Sequence, residues 1–134
     1  MKPINEMTDQ ELSEVIAIDV MGWEKETTAT EHAIVDYWTV GNGILTRECF
    51  DESACTKWDP AHDLNQAWEA VEKWLKKNGE WDFGIYRRWQ DEELRWVVWM
   101  TKEIGAEINI EAENTNPARA ICKALISAVR EEQG

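Results

Sequence analysis

Trp81-Asp82-Phe83-Gly84-Ile85-Tyr86-Arg87-Arg88-Trp89, followed after Gln90-Asp91-Glu92-Glu93 by Leu94-Arg95-Trp96-Val97-Val98-Trp99-Met100, sets two alternating apolar runs side by side. Trp81, Phe83, Ile85 and Trp89 alternate on the first half, and Leu94, Trp96, Val98 and Met100 on the second. A period of two is the signature of half-buried strands. With residues 90 to 93 as the connecting loop, Ile85 faces Val98. A third segment, carrying Ile104, Ala106, Ile108, Ile110 and Ala112 after a loop at 101 to 103, completes a meander in which Val98 faces Ala106. All three apolar sets then lie on one face.

The same register fixes the opposite face. It sets Arg88 across from Arg95, Tyr86 across from Val97 and Gly84 across from Trp99. Directly opposed like charges are unfavourable unless an anion intervenes. Either Glu107 and Glu111 of the next strand supply that anion, with a helix covering Trp99, or Tyr86, Arg88, Arg95 and Trp99 form a site for a phosphate-bearing, stackable ligand such as a nucleotide. Arg87 falls on the core side, beside Trp96, as a cation-π neighbour.

Working outward, three amphipathic helices frame the strands. Thr8 and Glu11 form a capping box, Met7 and Leu12 staple across it, and Leu12, Val15, Ile16 and Val20 recur on one face up to a stop at Gly22. The second helix starts near Asp63 and carries Leu64, Ala67, Trp68, Val71, Trp74 and Leu75 as its apolar stripe, with Trp68 at the centre. Asn78-Gly79 ends it. Asn116 caps a third helix that begins at Pro117 and lines up Ala118, Ile121, Cys122, Leu125, Ala128 and Val129. Residues Ala33 to Val40, the Gly41-Asn42-Gly43 turn and Ile44 to Phe50 read as a further hairpin, and the Thr- and Glu-rich segment from Glu24 to Glu31 as a loop. The expected fold is α+β: a mainly antiparallel sheet, made of a hairpin and a three-stranded meander, with three amphipathic helices. Residues 1–134 form a single domain.

Three blocks carry a family resemblance: Met21-Gly22-Trp23 closing the first helix, Trp58-Asp59-Pro60 leading into Asp63 through Lys73, and Pro117 through Leu125. In their order and spacing they resemble the small phage and prophage proteins of the phage ABA sandwich family. The resemblance implies an α-β-α sandwich and a viral or prophage origin, and it implies no activity. The long hairpin and the Cys49 to Cys55 segment do not match the family pattern.

The chain of 134 residues contains nine tryptophans and a formal net charge of -13. Residues 1 to 60 hold thirteen Asp/Glu against four Lys/Arg, a charge of -9; residues 61 to 134 hold fourteen against ten, a charge of -4. Such a field repels nucleic-acid phosphate and anionic membranes, so neither is an expected partner. The N-terminal sequence turns polar at once and no apolar run reaches the length of a membrane span, which places the protein in the cytoplasm, or the host cytoplasm if phage-encoded. Three cysteines, Cys49, Cys55 and Cys122, are expected as free thiols.

Cys49, Cys55 and His62, with His32 or Asp63 as a fourth ligand, could hold zinc, but the Cys-x5-Cys-x6-His spacing departs from the short knuckle and metal independence is the expectation. No thiol has an evident activating base or oxyanion site, and no glycine-rich phosphate loop or metal-hydrolase constellation occurs. No catalytic residue and no cofactor are assigned. The leading expectation is therefore an accessory protein acting by binding, through counter-defence that blocks a host protein or sequesters a nucleotide-like signal. Asp51 and Glu52 are the candidate contacts for a protein partner. A small hydrolase or metal-dependent enzyme, a structural or homo-oligomeric phage protein and a nucleic-acid mimic stay open as alternatives.

Overall fold

The computed structural model describes residues 2–29, 34–39, 58–102 and 107–133. The fold is α+β, with three helices and two antiparallel sheets of two and three strands among these residues.

Helix α1 (Asp9–Val15) begins at the expected capping box: Thr8 Oγ1 accepts from the Glu11 amide at 3.1 Å, and a Glu11 carboxylate oxygen accepts from the Thr8 amide at 3.1 Å. Both groups satisfy donors that the helix end leaves open. The helix does not stop at Val15. It continues through a wider π-type turn, Ile16–Val20, in which the Met21 amide reaches Ile16 O. The extra residue in this turn rotates the chain so that Ile16, Ala17 and Val20 are buried while Ile18 is 49% exposed. Gly22, at φ 74°, ends it, in a left-handed conformation that a side chain would strain.

The segment expected as a loop is a strand. Here β1 (Glu24–Ala29) pairs with β2 (Ile34–Thr39), Glu24 facing Thr39 and Ala29 facing Ile34. The strand expected over 33–40 is thus present, and among the described residues it pairs with the segment before it. The Gly41-Asn42-Gly43 turn and Ile44 to Phe50 lie outside the described residues. Trp38 and Thr39 are buried, and Trp23, just before β1, meets Trp58 edge-on at 4.6 Å. The Trp58 indole N–H donates to Ser13 O at 3.1 Å, so its polar edge is satisfied inside the core.

The meander consists of β3 (Trp81–Gln90), β4 (Glu93–Lys102) and β5 (Ile108–Asn114), in the order β3-β4-β5. The β3–β4 register is the expected one: Ile85 faces Val98 and Arg88 faces Arg95. Its connection is only Asp91-Glu92, both left-handed at φ 53° and 63°. Non-glycine residues there cost about 1–2 kcal/mol each, tolerated because this twist matches that of the flanking strands. The β4–β5 register differs: Val98 faces Ala112, not Ala106. The β4 strand runs on through Thr101 and Lys102, so the return begins later. The slip is six residues, an even number, and Ile108, Ile110 and Ala112 therefore keep the core face.

Helix α2 (Leu64–Lys77) has Asp63 as its cap, accepting from the Gln66 amide at 3.1 Å, and ends where the Asn78 side chain donates to Trp74 O at 3.0 Å. Helix α3 (Pro117–Gln133) is capped by Asn116, whose Oδ1 accepts from the Ala118 amide and whose Nδ2 donates to Ala61 O. Every residue of the expected α3 stripe is buried, and so are Ala120, Ala124 and Ile126. A helix covered beyond one stripe is packed on more than one side, and α3 contacts β4 and β5, α2, α1 and the π-type turn. Its alanines let these neighbours approach closely. At its far end Glu132 accepts from the Trp81 indole at 2.8 Å and from Lys102 at 2.6 Å, tying α3 to the start of the meander.

Trp68 is not at the centre of the core. The buried residues of α2 are Gln66, Ala67, Ala70, Val71 and Trp74, which turns the arc away from Leu64 and Trp68; these are 48% and 45% exposed. Gln66 is drawn inward because its side-chain oxygen accepts from the Asp59 amide.

Candidate functional site

The outer face of the meander carries Tyr86, Arg88, Arg95 and Trp99 together, as the register predicted. The anion between the arginines is Glu113, not Glu107. Arg95 Nη1 donates to one Glu113 oxygen at 3.1 Å and Arg88 Nη2 to the other; Glu111 approaches Arg88 only at 3.9 Å, and Glu107 meets Asn109 instead. The shift in the β4–β5 register is the cause, since it sets Glu113 beside Val97, flanked by Arg95. The hydrogen bond to Glu113 raises the Arg95 pKa above its ordinary value. Val97 is fully buried among these long side chains.

Among the described residues no helix covers Trp99. Its indole lies on Gly84: a Cβ at that glycine would fall 2.1 Å from two ring carbons. Glycine here makes room for the ring rather than for a turn. Trp99 and Tyr86 remain 37% and 43% exposed.

His62 lies in the turn before α2, between two carboxylates. Its Nε2 lies 2.6 Å from Asp9 and its Nδ1 2.8 Å from Asp59, while Arg119 pairs with Asp9 and donates to Met7 O at 3.0 Å. The imidazole thus bridges the first turn of α1 and the turn before α2. Asp63 is occupied as a helix cap. Cys49, Cys55 and His32 lie outside the described residues, as do Asp51 and Glu52; among the described residues no group of three His, Cys, Asp or Glu is placed to hold a metal ion. Cys122 is a free, buried thiol. Burial, with Asp59 nearby, pushes its pKa up to about 12, so it is a poor nucleophile.

The surface that periodicity did not reveal is a pocket of about 270 Å³ lined by Leu64, Asn65, Trp68, Ile85, Trp96 and Pro117, with Ile121 at its base. Four elements meet there: the first turns of α2 and α3, and the core-side face of β3 and β4. Toward the β3–β4 turn the same face carries Arg87 and Trp89, both exposed. Trp68 stands edge-on to Phe83 at 5.5 Å, holding one wall, and Arg87 lies 5.7 Å from the Trp96 ring on the other. Trp89, opposite Leu94 and nearer the turn, is 73% exposed. A signal was present in the sequence: Ala67 and Ala70 mark the side of α2 that a neighbouring helix can approach, and Leu64 and Trp68 lie at its margin.

Among the described residues no helix is long and apolar enough to cross a membrane. A family model described as the phage ABA sandwich domain matches residues 14–126, most of the chain. No curated protein and no solved structure matches it.

Proposed function

Because the chain belongs to the phage ABA sandwich domain family, we propose that it is a phage accessory protein that acts by binding, with the tryptophan-walled pocket as its contact and a host protein as its target. The observation that carries this reading is the apolar surface left open on a strongly charged chain: Leu64, Trp68 and Trp89 are 48%, 45% and 73% exposed beside the pocket. Clustered exposed apolar side chains of this kind mark interaction sites, and tryptophan dominates the energetics of such contacts. The outer face supports a binding role less well, because Glu113 already engages both arginines that a phosphate would need. Counter-defence by occupying a host component accords with the acidic charge, which favours encounter with a basic surface.

The test is co-purification from infected cells with the full chain and with a Trp68→Ser/Trp89→Ser double variant, alongside phage plating on a defence-competent host. The variant is expected to keep its circular dichroism spectrum and lose both the partner and the plating advantage. A folded variant that retains both removes the pocket from function.

A further inference from the structure

The identity of the target's contact segment follows from the surroundings of the pocket, and the argument rests on the binding reading above. We infer that the pocket takes one large apolar or aromatic side chain from a basic protein segment, whose Lys or Arg residues meet the acidic tip of the β3–β4 hairpin.

Size sets the first constraint. At about 270 Å³ the pocket falls below the roughly 300–1,000 Å³ of sites that enclose small molecules. It suits a single anchor side chain held between Trp68 and Trp96, in the manner of an interface hot spot. The lining is almost wholly apolar, with Asn65 as its one polar side chain. A phosphate would find no cation on these walls, and Arg87 is stacked against Trp96 at the rim.

Charge sets the second. From the pocket the same face continues along the hairpin past Arg87 to Trp89 and Leu94, and then to Asp91, Glu92 and Glu93, all three exposed, with Glu93 already 3.4 Å from Arg95. The turn holds Asp91 and Glu92 at its two central positions, so both side chains project from the tip. A segment seated in the pocket and running toward the tip passes Arg87, which lies over the Trp96 ring, and then Trp89 before it meets the carboxylates of Asp91 and Glu92. The matching sequence is an anchor residue followed by cations. A second copy of this chain is a poor occupant, because each copy brings a net charge of -13 and its own acidic tip.

The experiment pans the full chain against a random peptide library and measures recovered peptides by fluorescence anisotropy at low and high salt. Three proteins are compared: the natural chain, Trp68→Ser, and an Asp91→Asn/Glu92→Gln double variant that keeps side-chain size. Recovered peptides are expected to pair a large apolar residue with Lys or Arg. Trp68→Ser should weaken their binding by about tenfold or more at either salt. The double variant should weaken it several-fold at low salt only, converging with the natural chain when the charges are screened. Neutral or acidic peptides that depend on Trp68 would overturn the basic-segment inference and leave the pocket as the contact. Peptides indifferent to Trp68→Ser would overturn the pocket itself, and with it the reading on which the inference rests. Recovery of no peptides, together with a dimer in sedimentation that Trp68→Ser abolishes, would assign the face to a second copy and overturn the inference.

Discussion

Replacing Gly84 with alanine tests the packing of the outer face with one methyl group. The added Cβ would lie 2.1 Å from Trp99 Cε2 and Cζ2 and 2.3 Å from Nε1, where about 3.5 Å or more is needed. The obstacle is a side chain on an open face, 37% exposed, so the ring can lift away while the backbone holds. Lifting it forfeits contact. A tryptophan buries roughly 150–250 Å² when fully covered, so about 100 Å² of this partly covered ring is at stake. At about 25 cal/mol per Å² its complete loss would cost about 2.5 kcal/mol, and alanine's advantage over glycine within a strand returns about 0.5–1 kcal/mol. Gly84→Ala should therefore destabilise the natural chain by about 1–2 kcal/mol, read by urea denaturation with far-ultraviolet circular dichroism. The same change in a Trp99→Val background should stabilise by about 0.5–1 kcal/mol, since nothing then occupies the space. An equal effect in both backgrounds, or a more stable single variant, would refute the argument that Gly84 exists to seat Trp99.

Other outcomes follow from burial and from ionisable groups. Leu125→Ala, at a fully buried position, should cost about 2–5 kcal/mol, whereas Trp68→Ala, 45% exposed, should cost about half of the 3–5 kcal/mol typical of a buried tryptophan; equal denaturation midpoints would contradict this placement. Cys122 should resist iodoacetamide in the native state at pH 8 and react on unfolding, as mapped by peptide mass spectrometry, and rapid native labelling would show that the thiol is neither buried nor raised. Hydrogen bonds from Lys102 and then Trp81 lower the Glu132 carboxyl below its ordinary 4.5. Its contribution is thus present above that value and is lost as pH falls through the lower folded pKa, so Glu132→Gln should flatten the acid limb of the stability curve; an unchanged limb would mean that the carboxylate does not hold α3 to the meander.

The alternation from Trp81 to Met100 was legible because β3 and β4 each bury one face, and a two-residue turn allows one register for the first hairpin. The second register was not legible: Thr101 and Lys102 carry no strong preference for strand or loop, and only the even slip preserved the faces. β1 escaped detection because Glu24-Lys25-Glu26-Thr27-Thr28-Ala29 lacks apolar alternation and its strand character comes from pairing with β2. The arginine pair was visible in sequence while its true partner, Glu113, depended on the misread register. The pocket is harder still, since it is made by the ends of four elements, and a helical stripe gives the direction of burial without saying where the covering neighbour stops.

Helix α3 also imposes an order on folding. The meander that it packs against closes locally: Arg95 and Glu113, which join β4 to β5, are 18 residues apart, whereas Arg119 and the Met7 carbonyl, which join α3 to the start of α1, are 112 apart. On loop-closure scaling the longer connection costs about 1.6 kcal/mol more chain entropy, at (3/2)RT times the logarithm of the length ratio. The contiguous stretch from β3 through α3 should therefore assemble in the transition state, with α1 docking afterwards onto α3. In kinetic terms, conservative truncations at Val98 or Leu125 should slow refolding, and truncation of Leu12 should instead speed unfolding. Slow refolding on truncation of Leu12 would place the N-terminal helix in the nucleus and reverse the order.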